Sequence, residues 1–239
     1  MTIAAGDIYD ALVRDGYYKS PEPVPLEEFD QTMAALAEQL DPIDIRLRLK
    51  HPNLGGVQAL EAHNECNHFA DGLAWYWKDD GGAGDRLFIS PMAPIEASLG
   101  DAELEHLAHA RVSLMRLRVP HTTLARRERG RPILFCPLGP CAFDAQVPGR
   151  EEAITRFYKR VREVTASARA TSPTLEMRSG DFLLLDDRRW VHGRDALPEE
   201  SSRVLRRTYL VMREREHWLR RTVSQRPFGA MRPLAAEEA

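Results

Sequence analysis

The 239-residue sequence predicts a mainly β protein, a sandwich or jelly roll carrying added helices. Three observations carry that expectation. Short apolar segments of strand character recur between residues 57 and 211. Helical periodicity is confined to the first quarter, to 92–110 and to 150–165. No repeat, heptad pattern or long linker divides the chain, so a single domain over 1–239 is expected. Its parts are a helical N-terminal portion over about 1–50, a jelly-roll core over about 51–215 and a C-terminal tail.

In order along the chain, DIYDALVR (7–14) has helical spacing, as does 26–40, where Leu26, Phe29, Met33, Leu36 and Leu40 recur at steps of three or four. The intervening KSPEPVP is a connector. Gly55-Gly56 precedes VQALEAHNE, and the aromatic run FADGLAWYW leads into the turn-like KDDGGAGD and a short strand, RLFIS. Residues 92–110 read as one helix. VSLMRLRV and TTLARRERGRPILFCPL read as strands, the second turning near Arg129-Gly130. In the helix at 150–165, Ile154, Phe157, Val161 and Val164 share a face. TLEMRSGDFLLLDD and SSRVLRRTYLVMRE are the most apolar strand candidates, and the tail from Thr222 is expected to wrap the surface.

Composition removes whole classes of function. Thirty-three basic residues against 36 acidic ones leave a formal charge of −3, too little field to hold nucleic acid or an anionic membrane. Only Lys19, Lys50, Lys78 and Lys159 are lysines; every other basic residue is Arg, the better fork for carboxylates. No apolar run approaches the ~20 residues of a membrane span. The N-terminus has neither a basic flank nor an apolar stretch. Three cysteines (Cys66, Cys136, Cys141) fit a reducing compartment, so a cytoplasmic protein is expected. There is no Gly-rich phosphate loop and no G-x-S-x-G elbow.

The sharpest local feature is His63-Asn64-Glu65. If 57–65 is extended, positions 63 and 65 face the same way and an imidazole and a carboxylate converge. A third ligand must come from elsewhere, and His192, following the apolar Phe182–Leu185, is the best candidate. Two His and one carboxylate on one side of a metal leave three positions open, the arrangement of non-haem Fe(II) oxygenases. Arg203 lies eleven residues past His192 and Arg207 four further on. On a strand these two share a face with Leu205, while Arg206 faces the other way. Buried guanidinium groups need anionic partners, and a dicarboxylate beside a metal would supply one.

HNE at 63–65, GDFLLLDDRRWVHGR at 180–194 and SRVLRRTYL at 202–210 together resemble the Fe(II)/2-oxoglutarate-dependent oxygenases of the taurine dioxygenase and clavaminate synthase-like group. That group has a proximal H-x-D/E, a GD-(apolar)-D-N-R-R-x-x-H stretch and two later Arg. HTTLARRERGRPILF is similar to the family's strand pair, with Arg126, Gly130 and Arg131 in place. Glu at 65 is the clavaminate synthase branch's choice. The resemblance implies a cupin-like double-stranded β-helix in which His63, Glu65 and His192 hold Fe(II). It further implies that 2-oxoglutarate chelates the metal, that Arg203 forks onto its distal carboxylate, and that Arg207 assists there or meets a substrate anion. The chain departs from the family at Gly84-Asp85-Arg86, where a Thr often follows the Asp; with Arg86 there, the Thr hydrogen bond to 2-oxoglutarate is expected to be lost or replaced by a charge.

The expected activity is O2-dependent oxidation, normally hydroxylation, of an unactivated C–H bond of a small amino-acid-like or anionic metabolite, with 2-oxoglutarate going to succinate. Two other classes stay open: a jelly-roll binding protein with a vestigial metal cluster, and a zinc hydrolase using His63, Cys66 and His68. Trp75, Tyr76 and Trp77 line a pocket or fill the core; His106 and His109 lie on a polar helix; Cys136 and Cys141 read as packing residues.

Overall fold

The alternation of side chains along two largely buried strands, GLAWYWKD and FLLLD, organises the molecule. The computed structural model describes residues 4–37, 40–43, 58–65, 70–82, 84–113, 122–128, 131–137, 142–143, 149–171 and 174–212. Its first half comprises α1 (Ala5–Asp15), β1 (Tyr17–Lys19), α2 (Leu26–Leu36), β2 (Leu40–Ile43), β3 (Leu60–His63), β4 (Gly72–Asp79), β5 (Asp85–Pro91), α3 (Ala93–Glu96) and α4 (Asp101–His109). There follow β6 (Arg111–Ser113), β7 (Thr122–Thr123), β8 (Ala125–Glu128), β9 (Arg131–Leu134), β10 (Ala142–Phe143), α5 (Arg150–Thr171), β11 (Thr174–Met177), β12 (Phe182–Asp186), β13 (Trp190–Arg194) and β14 (Val204–Met212).

Two antiparallel sheets face each other. The larger runs β1-β12-β4-β14-β2 and the smaller β11-β5-β13-β3. Successive strands alternate between them: β3, β5, β11 and β13 lie in the small sheet, and β4, β12 and β14 in the large one. That winding is the mark of a jelly roll. Because strand side chains alternate, odd and even positions of the large sheet serve different layers. Leu73, Trp75, Trp77, Leu183, Leu185, Tyr209 and Val211 pack inward against Leu87, Ile89, Leu175 and Met177 of the small sheet. Ala74, Tyr76, Phe182, Leu184 and Leu210 face outward onto Ile8, Leu12, Phe29, Met33 and Leu36 of α1 and α2.

The small sheet is backed by α4 and α5. Leu104, Leu107, Ile154, Phe157 and Val161 close over Val191, Leu134 and Phe135. Each such large side chain contributes roughly 1.5–3 kcal/mol by leaving water. No helix among the described residues is long and apolar enough to cross a membrane.

Four features differ from expectation. The helix read over 92–110 is two, α3 and α4, interrupted at Leu99-Gly100, where the Gly100 backbone is extended and its N–H donates to the Glu103 carboxylate. α5 continues to Thr171, since a charged helix face gives no stop signal. Tyr17–Lys19, ahead of the Pro-rich connector, adds an edge strand to β12, and β2 falls within the portion expected to be helical. The Arg129-Gly130 turn and the tail from Thr222 lie outside the described residues.

Candidate metal centre

His63 ends β3 and His192 sits in β13, and the two are direct partners in the antiparallel register. Directly opposed residues project to one face, and here the imidazole centroids are 4.3 Å apart. Glu65 follows two residues past the end of β3 and turns its carboxylate between them. Its Oε1 lies 3.6 Å from His63 Nε2 and 3.7 Å from His192 Nε2. Ligand atoms at such separations can all reach about 2.1 Å from a single ion. The three residues form a group whose ligand atoms lie within 4.8 Å of one another. Both imidazoles are buried.

The donor chemistry fits a divalent metal. His63 Nδ1 lies 2.8 Å from the Glu61 carbonyl oxygen, which can only accept, so the proton sits on Nδ1 and the Nε2 lone pair points to the centre. Burial, followed by repulsion from His192, pushes the His63 imidazole below its ordinary value. Burial alone would raise Glu65, but the Arg207 guanidinium and the two imidazoles hold it well below the usual carboxylate range. For His192, burial is outweighed by Asp187 and Glu65, and its value is raised.

Beneath the cluster lies a polar scaffold. Asn64, the buried middle residue of the triplet, donates to the carbonyls of Leu134 and Asp187 and accepts from the Cys136 N–H. The Glu65 N–H donates to Asp187 Oδ2 at 2.6 Å. Arg207 pairs with Glu65 Oε2, the oxygen turned away from the imidazoles, and the Tyr209 hydroxyl approaches that oxygen at 3.5 Å.

A pocket opens beside the cluster, walled by Leu60, Trp75, Trp77, Leu87 and Leu205, with Arg194, Arg203 and Arg207 among its lining. Arg203 and Arg207 share this face, as the pleat requires, and Arg206 points the other way, to Asp30. Two of the pocket guanidiniums, those of Arg203 and Arg207, have anions from within the chain. Arg203 pairs with Asp85, which has no side-chain exposure and also accepts from Trp77 Nε1 at 3.1 Å. The burial argument for a dicarboxylate is therefore met internally, by Asp85 for Arg203 and by Glu65 for Arg207. Arg203 Nε is nevertheless buried without a hydrogen-bond partner among the described residues.

Along β5 the pleat turns Asp85, Leu87 and Ile89 inward and leaves Arg86 exposed, so Arg86 is not part of the pocket lining and brings no charge to it. Trp75 and Trp77 line the pocket, while Tyr76 packs against Phe29 on the opposite face. His109 is exposed and pairs with Glu105; His106 is half-buried. Arg131 pairs with Glu96 at the surface, and Arg126 is half-buried. Cys136 is buried against the Ala62 carbonyl; Cys66, His68, Gly130 and Cys141 lie outside the described residues. Asn64, Asp85, Asp187 and Arg194 were not singled out from the sequence. The adjacent acids in GDFLLLDD were the visible signal for Asp187, since a carboxylate at the end of an all-buried strand needs a purpose.

No protein-family model matches the chain, and no curated protein matches it in sequence. Solved structures do. An asparagine oxygenase in complex with Fe(II), 2S,3S-3-hydroxyasparagine and succinate aligns with a TM-score of 0.59 at 18% identity, covering 93% of this chain and 82% of that one. The non-heme iron oxygenase OrfP, in complex with Fe, succinate and (3S)-hydroxy-L-Arg, gives 0.55 at 18% identity over 94% and 82%. PvcB of Pseudomonas aeruginosa, an Fe, alpha-ketoglutarate dependent oxygenase from an isonitrile synthetic pathway, gives 0.56 at 16% identity over 87% and 80%. At such identities the likeness is one of architecture, and the chain is built on the jelly-roll fold of the Fe- and 2-oxoglutarate-dependent oxygenases.

Proposed function

We propose that the chain is a non-haem Fe(II)/2-oxoglutarate-dependent dioxygenase that hydroxylates an unactivated C–H bond of a small amino-acid-like or anionic metabolite. The observation that carries this reading is the convergence of His63 Nε2 and His192 Nε2 on Glu65 Oε1 at the end of an apolar pocket bearing inward-facing arginines. Fe(II) with 2-oxoglutarate and O2 bound there supplies the oxidising chemistry, giving succinate, carbon dioxide and an oxygen atom for the substrate.

The chain's own contribution is positional. His63, Glu65 and His192 would hold the ion through three ligands, which would leave room for the co-substrate and oxygen. Arg203, buried in the pocket wall with Nε to spare, receives the distal carboxylate of 2-oxoglutarate. Arg207, partly exposed and paired with Glu65 Oε2, assists there or meets a substrate anion. Trp75, Trp77, Leu87 and Leu205 keep water from the reacting face. An amino-acid substrate is supported by the asparagine- and arginine-derived products in the similar structures.

The test is turnover. Supplied with Fe(II), 2-oxoglutarate and O2, the protein is expected to release succinate in step with a hydroxylated member of a panel of free amino acids. Consumption of 2-oxoglutarate that does not depend on Fe(II), or none with any panel member, contradicts the proposal. Turnover that persists without oxygen would instead favour a hydrolase.

A further inference from the structure

We infer that Asp187 is a positioning residue of the metal site, a buried carboxylate that holds His192 and the Glu65 backbone in ligating geometry together. The inference rests on the reading of His63, Glu65 and His192 as the Fe(II) ligands. Asp187 lies in the turn between β12 and β13 with no exposed surface. Its N–H donates to the Asp71 carbonyl at 3.0 Å, and its own carbonyl accepts from Asn64 Nδ2 at 2.9 Å. Of its carboxylate oxygens, Oδ2 accepts the Glu65 N–H at 2.6 Å and Oδ1 faces His192 Nδ1 at 3.5 Å.

The chemistry follows from what a carboxylate can do. It accepts and does not donate, so it selects the His192 tautomer with the proton on Nδ1. That tautomer turns the Nε2 lone pair toward Glu65 Oε1 and the ion. The other one would aim an N–H at the same point and block ligation. Nδ1 makes no hydrogen bond among the described residues, and the acceptor it faces is Asp187 Oδ1, 3.5 Å away. His63 has the same arrangement with a backbone carbonyl, which carries no charge. Asp187 thus joins two ligands that come from opposite parts of the chain, and adds a negative charge behind one of them. Partners of this kind set metal affinity by about 10–100-fold.

Asp187→Asn separates the two contacts. The amide is nearly isosteric, but its single oxygen can serve the Glu65 N–H or the His192 Nδ1–H, not both. Two measurements test the inference. The first is anaerobic Fe(II) affinity of the wild-type chain and D187N, by competition with a chromogenic chelator. The expected result is a loss of about 10–100-fold in D187N. The second is the 15N spectrum of the histidines in the metal-free wild-type chain at about pH 9, above the ordinary imidazole value; His192 is expected to carry its proton on Nδ1. This second arm needs no variant, so it decides even if D187N fails to fold. Equal Fe(II) affinity in both proteins, or an Nε2-protonated His192, overturns the inference while leaving the proposed function standing. A merely structural role would lower the melting temperature of metal-free D187N and leave Fe(II) affinity unchanged, and that result too overturns it. A wild-type chain that takes up no Fe(II) overturns the functional reading and this inference with it.

Discussion

Arg207 of β14 and Arg203, just ahead of that strand, line the same pocket, and each meets an acid from a different part of the chain: Asp85 of β5 and Glu65 beyond β3. That both arginines face inward was legible from the two-residue period of a strand. Which acids they meet was not, because a strand's partner across a sandwich leaves no local trace in sequence. The same limit explains Arg86, whose neighbour Asp85 takes the inward position. The pairing makes a stability prediction. Arg203→Ala leaves the buried Asp85 carboxylate with Trp77 Nε1 as its side-chain donor among the described residues, and removing one partner of a buried pair costs about 3–5 kcal/mol. Urea denaturation should show that loss, and show it much reduced when Arg203→Ala is made in an Asp85→Asn background. An equal cost in both backgrounds would mean that the pair is not what holds Asp85. The comparison also separates stability from co-substrate binding, since loss of 2-oxoglutarate affinity should persist in the double variant.

Strand β13 carries the distal half of the site, and its sequence WVHGR is constrained residue by residue. Val191 faces the α4–α5 layer, His192 and Arg194 face the pocket, and Gly193 lies between. A Cβ at Gly193 would collide with the Phe88 ring and sit 2.6 Å from the Leu60 carbonyl oxygen. β3 and β5 can therefore flank β13 closely only if 193 has no side chain. Gly193→Ala should cost about 1–3 kcal/mol by overpacking, read as a lower melting temperature. It should also weaken Fe(II) binding, because the displaced backbone belongs to a ligand's neighbour; an unchanged melting temperature would contradict the packing described. At this scale the strands were legible from apolar runs and the helices from their period. The break at Leu99-Gly100 was missed, although Ile95 and Leu104 are nine residues apart, about two and a half turns, and could not share a face of one continuous helix. The edge strand Tyr17–Lys19 was hidden because three half-buried residues are too few to display a period.

For the molecule as a whole, alternation of consecutive strands between two sheets is what makes a site from distant residues. It places β3 beside β13, so a His in the first third of the chain and one in the last become cross-strand partners. Motif spacing located the three candidate ligands and the inward arginines; the fold supplied the scaffold of Asn64 and Asp187 that aims them. The central claim is that this cluster takes Fe(II) together with a chelating keto acid. Anaerobic titration of Fe(II) and then 2-oxoglutarate into the protein, followed by visible absorbance, tests it most directly. The account predicts a weak metal-to-ligand charge-transfer band that appears only when both are present and is lost in His63→Ala and His192→Ala. A wild-type spectrum no different from Fe(II) and 2-oxoglutarate in buffer, or a band that survives both substitutions, would contradict it.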